Sequence, residues 1–153
     1  KYGSPLYIYD TDIMTRQYQR ITSAFAGTRV KINYACKALT NINILKHIKS
    51  IGCNIDCSSV NEAKLAQKAG FLPQQILYTS NNISFEEIEE VAKLGVQINI
   101  DNLSVLEHFG TKYPNIPVCI RINPHVMAGG NANISVGHIC FIVKIHGRLL
   151  ISH

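Results

Sequence analysis

Tryptophan is absent from the 153 residues, charged side chains make up only 16%, and no apolar run reaches the roughly 18–20 residues that a membrane span needs. These absences exclude a membrane helix and, with 46% hydrophobic residues, a disordered chain. The first residues, Lys1 to Tyr9, do not read as a signal peptide, because Pro5, Tyr7 and Asp10 interrupt any apolar core. No HExxH or GxSxG arrangement occurs, so zinc peptidase and serine hydrolase chemistry has no foothold. A Gly-x-Gly-x-x-Gly turn is also missing, which counts against a dinucleotide. The net charge of +5 comes without a basic tract. Its lysines and arginines are scattered along helical stretches and read as solvated helix faces, with no nucleic-acid partner expected. The five cysteines are odd in number and lack paired spacing, which excludes a disulfide framework and points to a reducing, cytoplasmic compartment. Cys53 and Cys57 lie four apart with no matching pair downstream, so no metal site is expected.

What is present is a regular alternation. Short apolar runs rich in Ile, Val and Tyr predict strands at Pro5–Tyr9, Arg29–Tyr34, Asn54–Cys57, Gln75–Tyr78, Val96–Ile100 and Val118–Ile122. Between them, helical spacing predicts Thr11–Phe25, Asn41–Ile51, Ser59–Ala69, Ser84–Leu94 and Asn102–Tyr113. Thr11 or Asp12 would cap the first helix, and Ser84 with Glu86 and Glu87 opens the fourth. Leu103, Leu106 and Phe109 would form the buried face of the fifth. From Ile32 onward the strands recur about every 20–22 residues, with Gly52, Gly70 and Gly95 closing successive helices. The class is therefore α/β with a parallel sheet, either doubly wound or a (β/α)8 barrel, and the even period favours the barrel. A full barrel takes about 200–250 residues. This chain offers about the first five βα units, a partial barrel expected to leave two parallel edge strands unpaired.

Several residues stand where chemistry could occur. Lys37 directly follows a buried strand, at the strand end where barrels place their active sites. It is either a solvated loop lysine or a dehydrated amine suited to Schiff-base formation. Asp56 ends the next strand and could be catalytic or could cap the helix that follows. Arg121 is a charge inside an apolar strand and needs a partner or a route to solvent. Ala128-Gly129-Gly130-Asn131 is a flexible turn without the strand-to-helix context of a phosphate loop. His47 and His108 fall on helices, on faces expected to be exposed, and His125 and His138 fall in the late loop region.

Taken in order, these segments resemble the pyridoxal-phosphate (PLP) decarboxylases of the diaminopimelate decarboxylase type. Tyr34-Ala35-Cys36-Lys37-Ala38 is similar to their YAxKAN box, with Leu39 in place of Asn and Asn41 two residues on. Pro5-Leu6-Tyr7-Ile8-Tyr9-Asp10 resembles their opening strand, and Asp56, Ser59 and Glu62 match a D-x-x-S-x-x-E segment. Ala69-Gly70-Phe71, Tyr78-Thr79-Ser80-Asn81-Asn82, Arg121-Ile122-Asn123-Pro124 and Ile134-Ser135-Val136-Gly137-His138 continue the likeness to His138. The resemblance implies an alanine racemase-like PLP-binding barrel and a carboxy-lyase that converts meso-diaminopimelate to L-lysine. It implies Lys37 as the Schiff-base lysine, with Asp56, Glu62 and Arg121 lining the cofactor site. It further implies an amino-acid substrate and, for the full-length family, a homodimer.

The likeness stops at His138. The last fifteen residues, 139–153, follow no pattern of the family, as a shifted reading frame would produce. The sequence thus divides into an incomplete PLP-binding barrel domain, 1–138, and a divergent tail, 139–153. Elements the family places later, including further phosphate-site residues, are expected to be missing, so the chain alone is expected to be inactive. A carboxynorspermidine or other basic amino-acid decarboxylase is an alternative. So is a non-catalytic fragment or a small-ligand-binding α/β domain.

Overall fold

In a computed structural model, residues 2–79, 81, 83–122 and 141–144 can be described. The described elements run α1 (Thr11–Ala24), β1 (Asn33–Ala35), α2 (Ile42–Ser50), β2 (Asn54–Cys57), α3 (Val60–Lys68), β3 (Ile76–Thr79), α4 (Phe85–Lys93), β4 (Gln97–Ile100), α5 (Leu103–Lys112), β5 (Val118–Ile122) and β6 (Phe141–Lys144). A 3-10 turn, Cys36–Ala38, joins β1 to α2, and another, Pro73–Gln75, precedes β3.

Each helix begins on a short polar residue that bonds the free N–H groups of the first turn. Asp10 accepts from Asp12 and Ile13, Asn41 from Asn43, Ser59 from Glu62, Ser84 from Glu87, and Asn102 from Ser104 and Val105. The cap of α1 is therefore Asp10, one residue before the two expected positions. Asn41 is spent on capping. Asp56 caps nothing, because Ser59 fills that role for α3. Helices α2, α3 and α4 are closed by Gly52, Gly70 and Gly95, and at Gly70 the backbone takes φ 96°, a left-handed conformation that a side chain would strain.

The sheet order is β1-β2-β3-β4-β5-β6, with β1 to β5 parallel and in sequence order, as in one wall of a (β/α)8 barrel. Side chains alternate across this wall. Ile55, Cys57, Ile76, Tyr78, Ile98 and Ile100 point into the core and are buried with Leu45, Ala63, Ile88, Val91 and Phe109 from the helices. The opposite, inner face carries Asn54, Asp56, Leu77, Thr79, Gln97, Asn99 and Arg121, as the strand register requires.

Several further sequence expectations are corrected. Pro5–Tyr9 forms no strand; it runs exposed, with Tyr7 84% accessible, because no described strand lies beside it to pair with. The first barrel strand occupies Asn33–Ala35, not Arg29–Tyr34, since β2 begins at Asn54 and only these residues lie opposite it. Leu103 is 79% exposed at the first position of α5, leaving Leu106 and Phe109 to bury that helix. The β5 edge, expected to be open, is paired by β6, which runs antiparallel to it. His47 is half-buried against α1, its Nε2 bonding Thr15 at 3.1 Å, whereas His108 is exposed and stacks on Phe85. The late turn 128–131, the stretch 134–138, His125 and His138 lie outside the described residues.

Candidate functional site

Lys37 occupies the middle of the 3-10 turn that leaves β1, at the C-terminal edge of the sheet. Its side chain is exposed, so the dehydration expected from its strand-end position is not found. Asp56 stands beside Ala35 in the strand register, on the inner face of β2. Burial pushes its carboxyl up. The nearby Thr79 hydroxyl, together with the positive charges of Lys37 and Arg121, pulls it back down, and the charge of Glu62 adds to the rise. Oδ1 of Asp56 is buried without a hydrogen-bond partner. Arg121 is half-buried in β5 and donates to Oδ1 of Asn81, a polar partner of the kind its place in an apolar strand called for. The charges of Lys37 and Arg121 thus both act on Asp56 at one end of the wall.

Glu62 stands apart from these three. Its Oε2 accepts from the Ser58 N–H at 2.7 Å and from Ser58 Oγ at 3.1 Å, closing the turn into α3. It also faces Cys36 and Cys57, and the ligand atoms of the three lie within 4.8 Å of one another. A soft metal would need both thiols as thiolates. Burial, reinforced by the Glu62 charge, pushes the Cys36 thiol up to about 11 and raises Cys57 as well. Both thiols are fully enclosed and keep their protons at neutral pH, so the trio forms a packed thiol pair in the core.

Two residues of the inner face escaped the sequence reading in this role. Asn99 is buried in β4 and donates from Nδ2 to Thr79 Oγ1 at 2.6 Å. The available signal was the alternation in Val96-Gln97-Ile98-Asn99-Ile100, where amides fall on every second position of an apolar strand. Asn99 also lines a small hollow at the end of β4 with Asp101, Asn102, Ile83 and Ile88. A wider one lies between β4 and β5, lined by Leu103, Leu106, Ile120 and Arg121. Lys37 and Asp56 line neither hollow.

Comparison with known proteins places this wall. Residues 11–139 match the model of the pyridoxal-dependent decarboxylase family, pyridoxal binding domain. The diaminopimelate decarboxylase of Methanothermobacter thermautotrophicus is 36% identical over 140 residues, covering 90% of this chain and 33% of that protein. The diaminopimelate decarboxylase of Helicobacter pylori strain J99 is 33% identical over 141 residues, covering 89% and 35%. The crystal structure of the Helicobacter pylori enzyme complexed with L-lysine superposes with a TM-score of 0.75 at 32% identity, covering 82% of this chain and 33% of that one. The chain thus spans about a third of the length of these relatives. Among the described residues no helix is long and apolar enough to cross a membrane. A parallel wall whose strands and helices alternate in this order, with a lysine leaving the first strand, is the opening part of a PLP-binding barrel, and the chain belongs to the pyridoxal-dependent decarboxylase family through its pyridoxal-binding domain.

Proposed function

We propose that this chain is the lysine-bearing part of a PLP-dependent carboxy-lyase that converts meso-diaminopimelate to L-lysine. The observation that carries the reading is the buried Asp56 carboxylate oxygen without a hydrogen-bond partner, acted on by the charges of Lys37 and Arg121 near the C-terminal edge of the parallel wall. Such a set fits the cofactor: an accessible amine for its aldehyde, a buried carboxylate oxygen without a partner, and a guanidinium of opposite charge to its phosphate. Lys37 would hold the cofactor covalently. Asp56 would accept from an N–H or ammonium on the inner face, and Arg121 would bind an anionic group. Glu62 fixes the turn that carries Asp56 into α3 and contributes negative charge from behind. When bound, PLP supplies the electron sink that accepts the bonding pair left by departing CO2.

The substrate assignment rests on the names of the relatives at 28–36% identity, most of which are diaminopimelate decarboxylases. Another basic amino acid is the alternative of the same class. The reading includes a cytoplasmic protein with no nucleic-acid partner and a homodimer for the full-length enzyme. It takes 1–138 as the barrel domain and 139–153 as a divergent tail, which in-frame genomic sequence would test.

PLP titration of the purified chain, followed by visible absorbance, tests the reading. A saturable band that Lys37→Ala abolishes is expected. No band, or one unchanged by the substitution, would overturn Lys37 as the anchor. The 153-residue chain alone, spanning a third of its relatives, is expected to form no lysine above blank.

A further inference from the structure

Lys37 rides on a very short piece of structure. The 3-10 turn Cys36–Ala38 is three residues long, and Ala35, which opens it, offers no side-chain cap. A backbone bond from the Leu39 N–H to the Cys36 carbonyl, at 3.1 Å, closes the turn. A turn of this length frays readily, because few bonds repay the backbone freedom it gives up. The Lys37 side chain is exposed, so fraying would spread its amine over many positions at the edge of the wall.

A second bond crosses the same turn. The Tyr34 hydroxyl donates to the Leu39 carbonyl at 3.3 Å, and the two residues it joins stand on either side of Lys37. Tyr34 belongs to β1, where it lies beside Ile55, a fully buried residue of β2. Its ring therefore leaves the helix-facing side of the wall and packs, half-buried, against the core, as do Leu39 and Ile42. The ring is anchored from the strand, and the hydroxyl grips the far end of the turn. Phenylalanine would fill the same space, so the packing alone does not require the oxygen. A carbonyl can only accept, so the hydroxyl must keep its proton to make this bond. Burial, with Cys36 and Tyr9 adding to it, raises the hydroxyl above its ordinary value of 10.0, which keeps the proton in place at neutral pH.

We propose that Tyr34 is a positioning residue for Lys37, bracing the turn through the Leu39 carbonyl so that the amine is presented from a fixed backbone. The proposal rests on the reading of Lys37 as the cofactor lysine. A braced turn has less freedom to lose when a ligand fixes the amine, so the brace should be felt in affinity.

Tyr34→Phe tests this in the 153-residue chain. Removing the bond should speed amide hydrogen exchange at Leu39 about fivefold. It should also raise the PLP concentration that half-saturates the Lys37-dependent absorbance band, about threefold. Tyr18→Phe is the control. It too removes a hydroxyl bond to a backbone carbonyl, that of Gly52 at 2.9 Å, but between α1 and the end of α2. Leu39 exchange and PLP half-saturation should stay at their wild-type values in that variant. Equal effects from Tyr18→Phe would mean a general loosening and overturn the proposal. So would a folded Tyr34→Phe chain in which either the exchange or the half-saturation is unmoved. Should Tyr34→Phe fail to fold by circular dichroism, 3-fluorotyrosine placed at position 34 keeps the ring and makes the hydroxyl a stronger donor. Slower Leu39 exchange is then expected, and an unchanged rate overturns the brace. A wild-type chain with no Lys37-dependent band sinks the cofactor reading, and Leu39 exchange then decides the brace by itself.

Discussion

Cys36 shows what a single side chain's setting does to its chemistry. It directly precedes Lys37, yet the two point apart: the lysine into solvent, the thiol into the core beside Cys57 and Glu62. Burial and the Glu62 charge raise the thiol from an ordinary value of 9.0 to about 11. The native state therefore holds this proton more tightly than the unfolded chain does. The stability linked to it is full below pH 9.0 and is lost progressively as pH rises through about 11. The loss should reach on the order of 2 kcal/mol. Urea unfolding at a series of alkaline pH values checks this, with Cys36→Ala as the variant whose alkaline decline should be shallower. A slope identical in both would mean that the thiol does not contribute. At neutral pH, Cys36 should resist alkylation until the chain is unfolded.

At the level of elements, the contact that ties strand to helix can be tested at Tyr78. Its ring is fully buried in β3, and its hydroxyl donates to Glu87 Oε1 at 2.7 Å, joining the strand to the first turn of α4. Tyr78→Phe keeps the ring and removes a bond to a charged acceptor, so it should cost about 1.5–3 kcal/mol in chemical denaturation. A loss within error of zero would show that water replaces the bond. Elements of this kind were largely legible in the sequence. α2 to α5 announce themselves through Asn or Ser caps and apolar spacing, α2 to α4 also through terminal glycines, and β2 to β5 through short runs of Ile and Val. These are local signals, and local chemistry decides them. The failures have a common cause. Pro5–Tyr9 has strand composition, but a strand exists only where a neighbour supplies hydrogen bonds, and sequence spacing does not say which neighbour that is. The same holds for the inner face. Lys37, Asp56 and Arg121 could be singled out one by one through family-like motifs, whereas the Asn99–Thr79 bond depends on the parallel register of β3 and β4.

For the whole molecule, the informative feature is how the wall ends. β1 is three residues long and β5 is five, and among the described residues only the β5 side is covered, by the antiparallel β6. A parallel strand left open presents a row of unpaired N–H and C=O groups to other chains. β6 exchanges that five-residue edge for a shorter one of four residues. In an antiparallel pair, successive residues alternate between bonding the neighbour and facing away. Of Ile142 and Val143, which lie opposite Arg121 and Ile120, one therefore donates to β5 and the other does not. Proline at the donating position removes the bond and displaces the strand, while proline at the other faces outward on an edge where it is tolerated. Ile142→Pro and Val143→Pro, compared by sedimentation velocity over a range of protein concentrations, should therefore differ. One should associate more strongly than the wild type, and the other should match it. If both sediment like the wild type, β6 is not what guards this edge. If both associate strongly, the strand needs its full length to stay in place.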